Sequence, residues 1–114
     1  AFLDAGLTTT PEYTPLNDDW WSSVGHPWGA SPNVYLIRSI AGLAPLTPGW
    51  TRVAVNPFLG DLRKVRVTVP TPQGLIEAEF YQTKSGVAGR IAVPQGVEVE
   101  FTEPATRRLM EVIA

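Results

Sequence analysis

The sequence predicts a mainly β chain: an antiparallel meander or half-sandwich, preceded by an irregular loop and one helix. Three observations carry this reading. Apolar residues recur with a period of two from Thr51 onward. Short loops ending in glycine separate these stretches at regular spacing. A single strongly apolar helical stripe stands ahead of them, between Ser31 and Leu43.

The helix is marked at both ends. Ser31 suits an N-cap and Pro32 the first helical position. Gly42 and then Pro45 close it. Val34, Ile37 and Ala41 share one stripe, flanked by Leu36, Ile40 and Leu43, with Arg38 and Ser39 as the polar exceptions. A helix apolar over most of its circumference is expected to be buried on several sides. The chain offers no other strong helix to cover it, so helical neighbours are expected upstream or in a partner.

The strands follow in order. Arg52–Val55 is the first candidate, Val65–Val69 the second, and Leu75–Tyr81 the third, with Ile76, Ala78 and Phe80 on one face and Glu77 and Glu79 on the other. Val87–Val93 and Val97–Phe101 come next. The connections Thr71-Pro72-Gln73-Gly74, Thr83-Lys84-Ser85-Gly86 and Pro94-Gln95-Gly96 read as hairpin loops. Pro70 and Pro94 fall at strand ends, where the missing N–H is tolerated. The tail from Thr106 to Ile113 has helix propensity, yet its position favours one more strand.

Residues 1–30 show neither period. They hold Thr8-Thr9-Thr10-Pro11-Glu12-Tyr13 and Asn17-Asp18-Asp19-Trp20-Trp21-Ser22-Ser23. Irregular segments of this length are often functional loops, and such a density of aromatic rings argues against a frayed tail.

Composition bounds the partners. The 114 residues suffice for one ordinary domain, and 44% apolar with 18% charged residues fit a globular chain. A net charge of −2 without a long basic run excludes the electrostatic footprint of nucleic-acid binding. There is no cysteine and one histidine, so thiolate and multi-histidine metal sites are excluded; no metal and no cofactor is expected. No apolar run has the length of a membrane span. Ala1–Leu7 lack the basic start of a signal peptide and the chain opens without Met, which suggests a piece of something longer.

Two residues stand out as chemical candidates. Glu12 lies among Thr, Pro and Tyr, apart from other charges, and glycosidases need paired carboxylates whose protonation the surroundings tune. The plain alternative is an exposed glutamate. His26 lies in Gly25-His26-Pro27-Trp28-Gly29-Ala30, where a neutral imidazole can meet a sugar hydroxyl. Its alternative is a histidine bonded to backbone near a helix start. Asp18 and Asp19 provide too few ligands for a hard cation. Trp20, Trp21 and Trp28 read as core more readily than as platforms, and Ser22 and Ser23 lack a nucleophile-elbow context.

The order of short motifs adds to this. Thr9-Thr10-Pro11-Glu12-Tyr13, then Ser23 to Pro32, then Gly42-Leu43-Ala44-Pro45-Leu46-Thr47-Pro48-Gly49-Trp50 resemble, in sequence, segments of bacterial α-L-rhamnosidases. Val55-Asn56-Pro57, Leu59-Gly60-Asp61-Leu62 and Val69 to Gly74 continue the resemblance in the expected order. Pro27 departs from the small residue usual after the histidine.

The resemblance implies an (α/α)₆-barrel catalytic domain followed by a C-terminal antiparallel β-sandwich-like domain. On that reading residues 1–49 are the last loop and helix of the barrel, and residues 50–114 are the β-domain. It implies hydrolysis of terminal α-L-rhamnosyl bonds with inversion, with Glu12 matching the general base and His26 matching a sugar-contacting histidine. The general acid would lie upstream. A rhamnoside substrate and the upstream barrel are therefore the expected partners of a full-length parent, and the chain alone is expected to be inactive. The exposed apolar helix face would favour self-association. Two competitors stand beside this reading: a non-catalytic carbohydrate-binding or structural β-module, and a fragment of another (α/α)₆-barrel glycosidase.

Overall fold

The computed structural model describes residues 4, 6, 8–12 and 25–114. The calls on Tyr13, Asp18, Asp19, Trp20, Trp21, Ser22 and Ser23 lie outside the described residues. The chain divides into two compact units, residues 1–35 and 36–114.

In the first unit, a 3₁₀ turn at Pro27–Ala30 leads into a short α-helix, α1, at Pro32–Tyr35. Proline stands at the start of both, where its fixed φ suits a helical turn and its missing N–H is no loss. The helix begins where the sequence placed it.

The second unit begins with a π-helical turn, Leu36–Ile40. The expected helix to Leu43 therefore stops short. Gly42 explains the break: its φ is +68°, and a Cβ on it would run into the Asn56 carbonyl. The Asn56 N–H donates to the Gly42 carbonyl at 2.9 Å and the Phe58 N–H to the Ile40 carbonyl at 3.0 Å. Backbone held this closely cannot remain helical, and Leu43 instead opens strand β1, Leu43–Pro45. Ile37 packs on the core, while Val34, Tyr35 and Leu36 are exposed, leaving uncovered the apolar sides for which neighbours were expected upstream or in a partner.

The remaining strands are β2 (Arg52–Val55), β3 (Lys64–Thr71), β4 (Gly74–Thr83), β5 (Gly86–Ala92), β6 (Glu98–Phe101) and β7 (Met110–Ile113), with a short helix α2 at Pro104–Arg108. They form two sheets. One has the order β1-β2-β6 and the other β3-β4-β5-β7. The mainly β class read from the sequence is borne out, and β3-β4-β5 is the expected antiparallel meander.

Both hairpins of that meander use one device. Thr71 and Thr83 each donate their hydroxyl to the carbonyl of the glycine three residues on, at 2.7 and 2.6 Å. Each hydroxyl also accepts the N–H two residues on, from Gln73 at 3.2 Å and Ser85 at 3.1 Å. The side chain thus organises each turn through bonds local to it.

Pro94-Gln95-Gly96 is not a hairpin loop. β5 ends at Ala92, the chain turns through a Val97 N–H to Pro94 carbonyl bond of 3.1 Å, and β6 crosses to the other sheet, parallel to β2. α2 then carries the chain back, and β7 pairs parallel to β5. Each sheet is therefore mixed, because parallel neighbours need crossover connections of this kind. The tail expected as one strand is half helix, half strand.

One core serves both sheets. Leu43, Val53 and Val55 from the first and Ile76, Phe80 and Ile91 from the second are fully buried, joined by Leu59, Val69, Val97 and Met110. The alternation expected for Leu75–Tyr81 holds: Ile76, Ala78 and Phe80 face inward. No polar side chain is buried among the described residues.

Candidate functional site

Two segments of the first unit, residues 8–12 and 25–30, are laced together. The His26 N–H donates to the Thr10 carbonyl at 2.8 Å. The Thr10 hydroxyl donates back to the His26 carbonyl at 3.3 Å. Gly29 lies so close that a Cβ on it would stand 2.7 Å from the Thr10 Cβ and 3.0 Å from the Pro11 carbonyl oxygen. Pro11, buried at this contact, holds the backbone that presents Glu12.

The lacing brings the two sequence candidates together. Glu12 Oε2 is 3.9 Å from His26 Nδ1, and each side chain is 27% exposed. The contact becomes an ion pair when the imidazole carries its second proton. Both groups are partly shielded, which strengthens electrostatics relative to bulk water, and both keep enough exposure to meet a ligand. A carboxylate so placed can accept a proton from a water, and an imidazole beside it can donate to or accept from a hydroxyl.

Trp28 completes the group. The sequence favoured a core role for it, but its side chain is 79% exposed. Its ring lies 6.4 Å from the imidazole centroid and 19° from parallel. The sequence reading missed Thr10 as the residue that ties the two segments. A hydroxyl two residues before Glu12 was the available signal.

The open face of the four-stranded sheet is a second candidate. Arg66, Glu79, Arg90 and Glu111 stand directly opposite one another across β3, β4, β5 and β7. Glu79 binds the Lys64 ammonium and lies 3.6 Å from Arg90. The hydrogen bond from Lys64 is the largest influence holding its carboxyl below the usual range; nearby Lys64, Arg90 and Arg66 charges act in the same sense, against partial burial. The face is charged and lacks a stacking row: the exposed aromatics of this unit, Phe58 and Tyr81, sit on different elements. No group of three or more acidic or histidine side chains placed to hold a metal occurs among the described residues. No described helix is long and apolar enough to cross a membrane.

Residues 42–112 match the family model described as the bacterial alpha-L-rhamnosidase C-terminal domain. A GH78 family rhamnosidase of Bacillus sp. GL1 superposes with a TM-score of 0.66 at 32% identity, over 80% of this chain and 10% of that one. An alpha-L-rhamnosidase of Dictyoglumus thermophilum gives 0.70 at 28% identity, over 88% and 12%. The Streptomyces avermitilis alpha-L-rhamnosidase, solved in complex with L-rhamnose, gives 0.69 at 24% identity, over 87% and 10%; at that identity the likeness is one of fold. The chain spans about a tenth of the length of these solved proteins. No curated protein sequence matches it.

Proposed function

For a chain that belongs to the bacterial α-L-rhamnosidase C-terminal domain family, we propose a place at the end of a longer inverting rhamnosidase, to which it contributes the general base Glu12 and the sugar contact His26. Residues 1–49 then close the helical catalytic barrel and residues 50–114 form the β-domain that follows it. The observation that carries the reading is the 3.9 Å approach of Glu12 and His26, side chains from two segments that the Thr10 bonds lace together.

The chemistry follows from inversion. A water between Glu12 and the sugar loses a proton to the carboxylate as its oxygen bonds to the anomeric carbon. The glycosidic C–O bond breaks on the opposite face, and the departing oxygen takes a proton from a second carboxylic acid. That acid belongs to the upstream barrel. With half of the pair and only one edge of the pocket, the isolated chain does not turn over substrate.

Two measurements test this. Residues 1–114 alone are assayed on an aryl α-L-rhamnoside, where robust turnover refutes the division of labour. In the full-length protein, Glu12→Gln lowers kcat at least about 100-fold, or roughly 2.7 kcal/mol of transition-state stabilisation, with unfolding unchanged. Near-normal turnover removes Glu12 from the role.

One observation favours a second reading. The family match begins at residue 42 and so covers the β-domain without Glu12 or His26. A β-module retained for sugar binding or for support fits that match equally. Saturable binding of L-rhamnose by the isolated chain, unaffected by Glu12→Gln, would favour it.

A further inference from the structure

We propose that Thr10 is a positioning residue for the Glu12–His26 pair: it holds the His26 main chain at both its N–H and its carbonyl, and its hydroxyl fixes where the imidazole stands beside the carboxylate. The inference deepens the rhamnosidase reading and rests on it. The His26 N–H donates to the Thr10 carbonyl at 2.8 Å, and the Thr10 hydroxyl donates to the His26 carbonyl at 3.3 Å. One residue thus binds both main-chain polar groups of the histidine. The first bond needs only a backbone carbonyl, which any residue at position 10 supplies. The second needs a side-chain hydroxyl.

A segment held by one hydrogen bond can still pivot about it, and a second bond removes the pivot. That pivot would swing the imidazole against the carboxylate 3.9 Å away. Glu12 follows Thr10 by two residues, and Pro11 between them has a fixed φ, so little slack separates the residue that grips His26 from the one that carries the carboxylate. Gly29 is independent evidence that the hydroxyl is seated. A Cβ there would stand 2.7 Å from Thr10 Cβ and 3.0 Å from Thr10 Oγ1. The φ of Gly29 lies outside the positive region, so its backbone makes no demand for glycine. The room it leaves is taken by the Thr10 side chain.

Thr10 itself needs no contact with sugar or water; it acts through His26. A histidine that binds a sugar hydroxyl equally in the ground state and the transition state lowers KM without raising kcat. Its displacement therefore raises KM and spares kcat. Misplacement by about 1 Å can cost about 100-fold, and with the backbone bond still in place the loss of the hydroxyl is expected to cost about 10-fold.

The test measures kcat and KM of the full-length protein on 4-nitrophenyl α-L-rhamnoside. Thr10→Val removes the hydroxyl and keeps the shape. It is expected to lower kcat/KM about 10-fold, through KM, with the unfolding temperature unchanged. Thr10→Ser keeps the hydroxyl and is expected to retain most of the wild-type value. In a His26→Ala background, Thr10→Val is expected to change kcat/KM by less than about 2-fold, because the group it positions is gone. Gly29→Ala crowds the hydroxyl from the other side and gives the same two readouts, loss alone and no further loss without His26, where the valine variant does not fold. Equal losses from Thr10→Val with and without the imidazole overturn the proposal, since they mark an effect that does not pass through His26. So does wild-type activity in Thr10→Val, or a loss that Thr10→Ser shares. Wild-type protein that does not hydrolyse the rhamnoside refutes the rhamnosidase reading itself, and the inference with it.

Discussion

Gly89→Ala tests the packing of the β-domain at its tightest point. Gly89 sits in β5 directly opposite Phe80 of β4. A Cβ on it would stand 2.8 Å from Phe80 Cδ1 and 3.0 Å from Phe80 Cα, and would press on the Glu79 carbonyl. Its φ is not in the positive region, so alanine suits the backbone and the penalty is purely one of space. Carbon atoms rest about 3.5–4.0 Å apart, so the ring and its strand must each yield by roughly an ångström. Phe80 is fully buried and has nowhere to go. Overpacking costs about 1–3 kcal/mol, and weakening the neighbouring ladder bond adds about 1 kcal/mol. The expected loss is therefore about 2–4 kcal/mol, a fall in Tm of roughly 10–25 °C for a unit of this size. Thermal and urea unfolding, followed by circular dichroism and tryptophan fluorescence, measure it. Gly96→Ala is the control: nothing lies near its added methyl, and only its φ of +87° costs, by about 1–2 kcal/mol. Phe80→Leu combined with Gly89→Ala should cost less than the two changes summed, because the smaller side chain vacates the contested space. A shift in Tm below about 3 °C for Gly89→Ala would refute the argument.

Gly42→Ala combines a positive φ with a collision against the Asn56 carbonyl, so a loss above about 3 kcal/mol is expected on urea unfolding; wild-type stability would contradict the close seat of β1 on the end of β2. Glu79 supplies a pH dependence. Its folded carboxyl is held below the ordinary value by Lys64, Arg90 and Arg66, so its contribution is complete above the unfolded carboxyl pKa and is lost as pH falls through the folded one. Wild-type stability should therefore fall more steeply than that of Glu79→Gln on acidification from about pH 5 to about pH 3; parallel curves would show that Glu79 plays no such part.

The sequence was most informative where a local rule and the tertiary demand coincided. Ile76, Ala78 and Phe80 alternate because one face of β4 meets the core, and nothing distant competes with that signal. Thr71 and Thr83 announce their turns because the threonine hydroxyl organises each turn by itself. Legibility failed where a remote contact decided. Leu43 sits on a helical stripe, yet Gly42 lies against the Asn56 carbonyl fourteen residues on, and that pairing makes a strand. The turn at Pro94–Gly96 looks like its two predecessors, but β6 finds its partner in β2, more than forty residues back. In the candidate site, Glu12 and His26 were visible as residue types within a motif order. Their approach was not, because it depends on Thr10 bonding across sixteen residues.

The residues that stabilise the β-domain and those of the candidate site form separate sets. The buried core cluster runs from Ala41 to Met110, and Glu12, His26 and Trp28 belong to no part of it. Glu12 and His26 are each 27% exposed and Trp28 79%, and none of the three packs in that core, so substituting them leaves the packing of the β-domain in place. Activity lost at Glu12 or Trp28 with Tm unchanged can therefore be assigned to chemistry or recognition. Activity lost at Gly42 or Gly89 should instead follow the folded fraction, recovering at temperatures where the variant is fully folded. If Gly89→Ala abolished turnover while the protein remained folded, the β-domain would be shaping the site itself, and the separation of the two sets of residues would have to be given up.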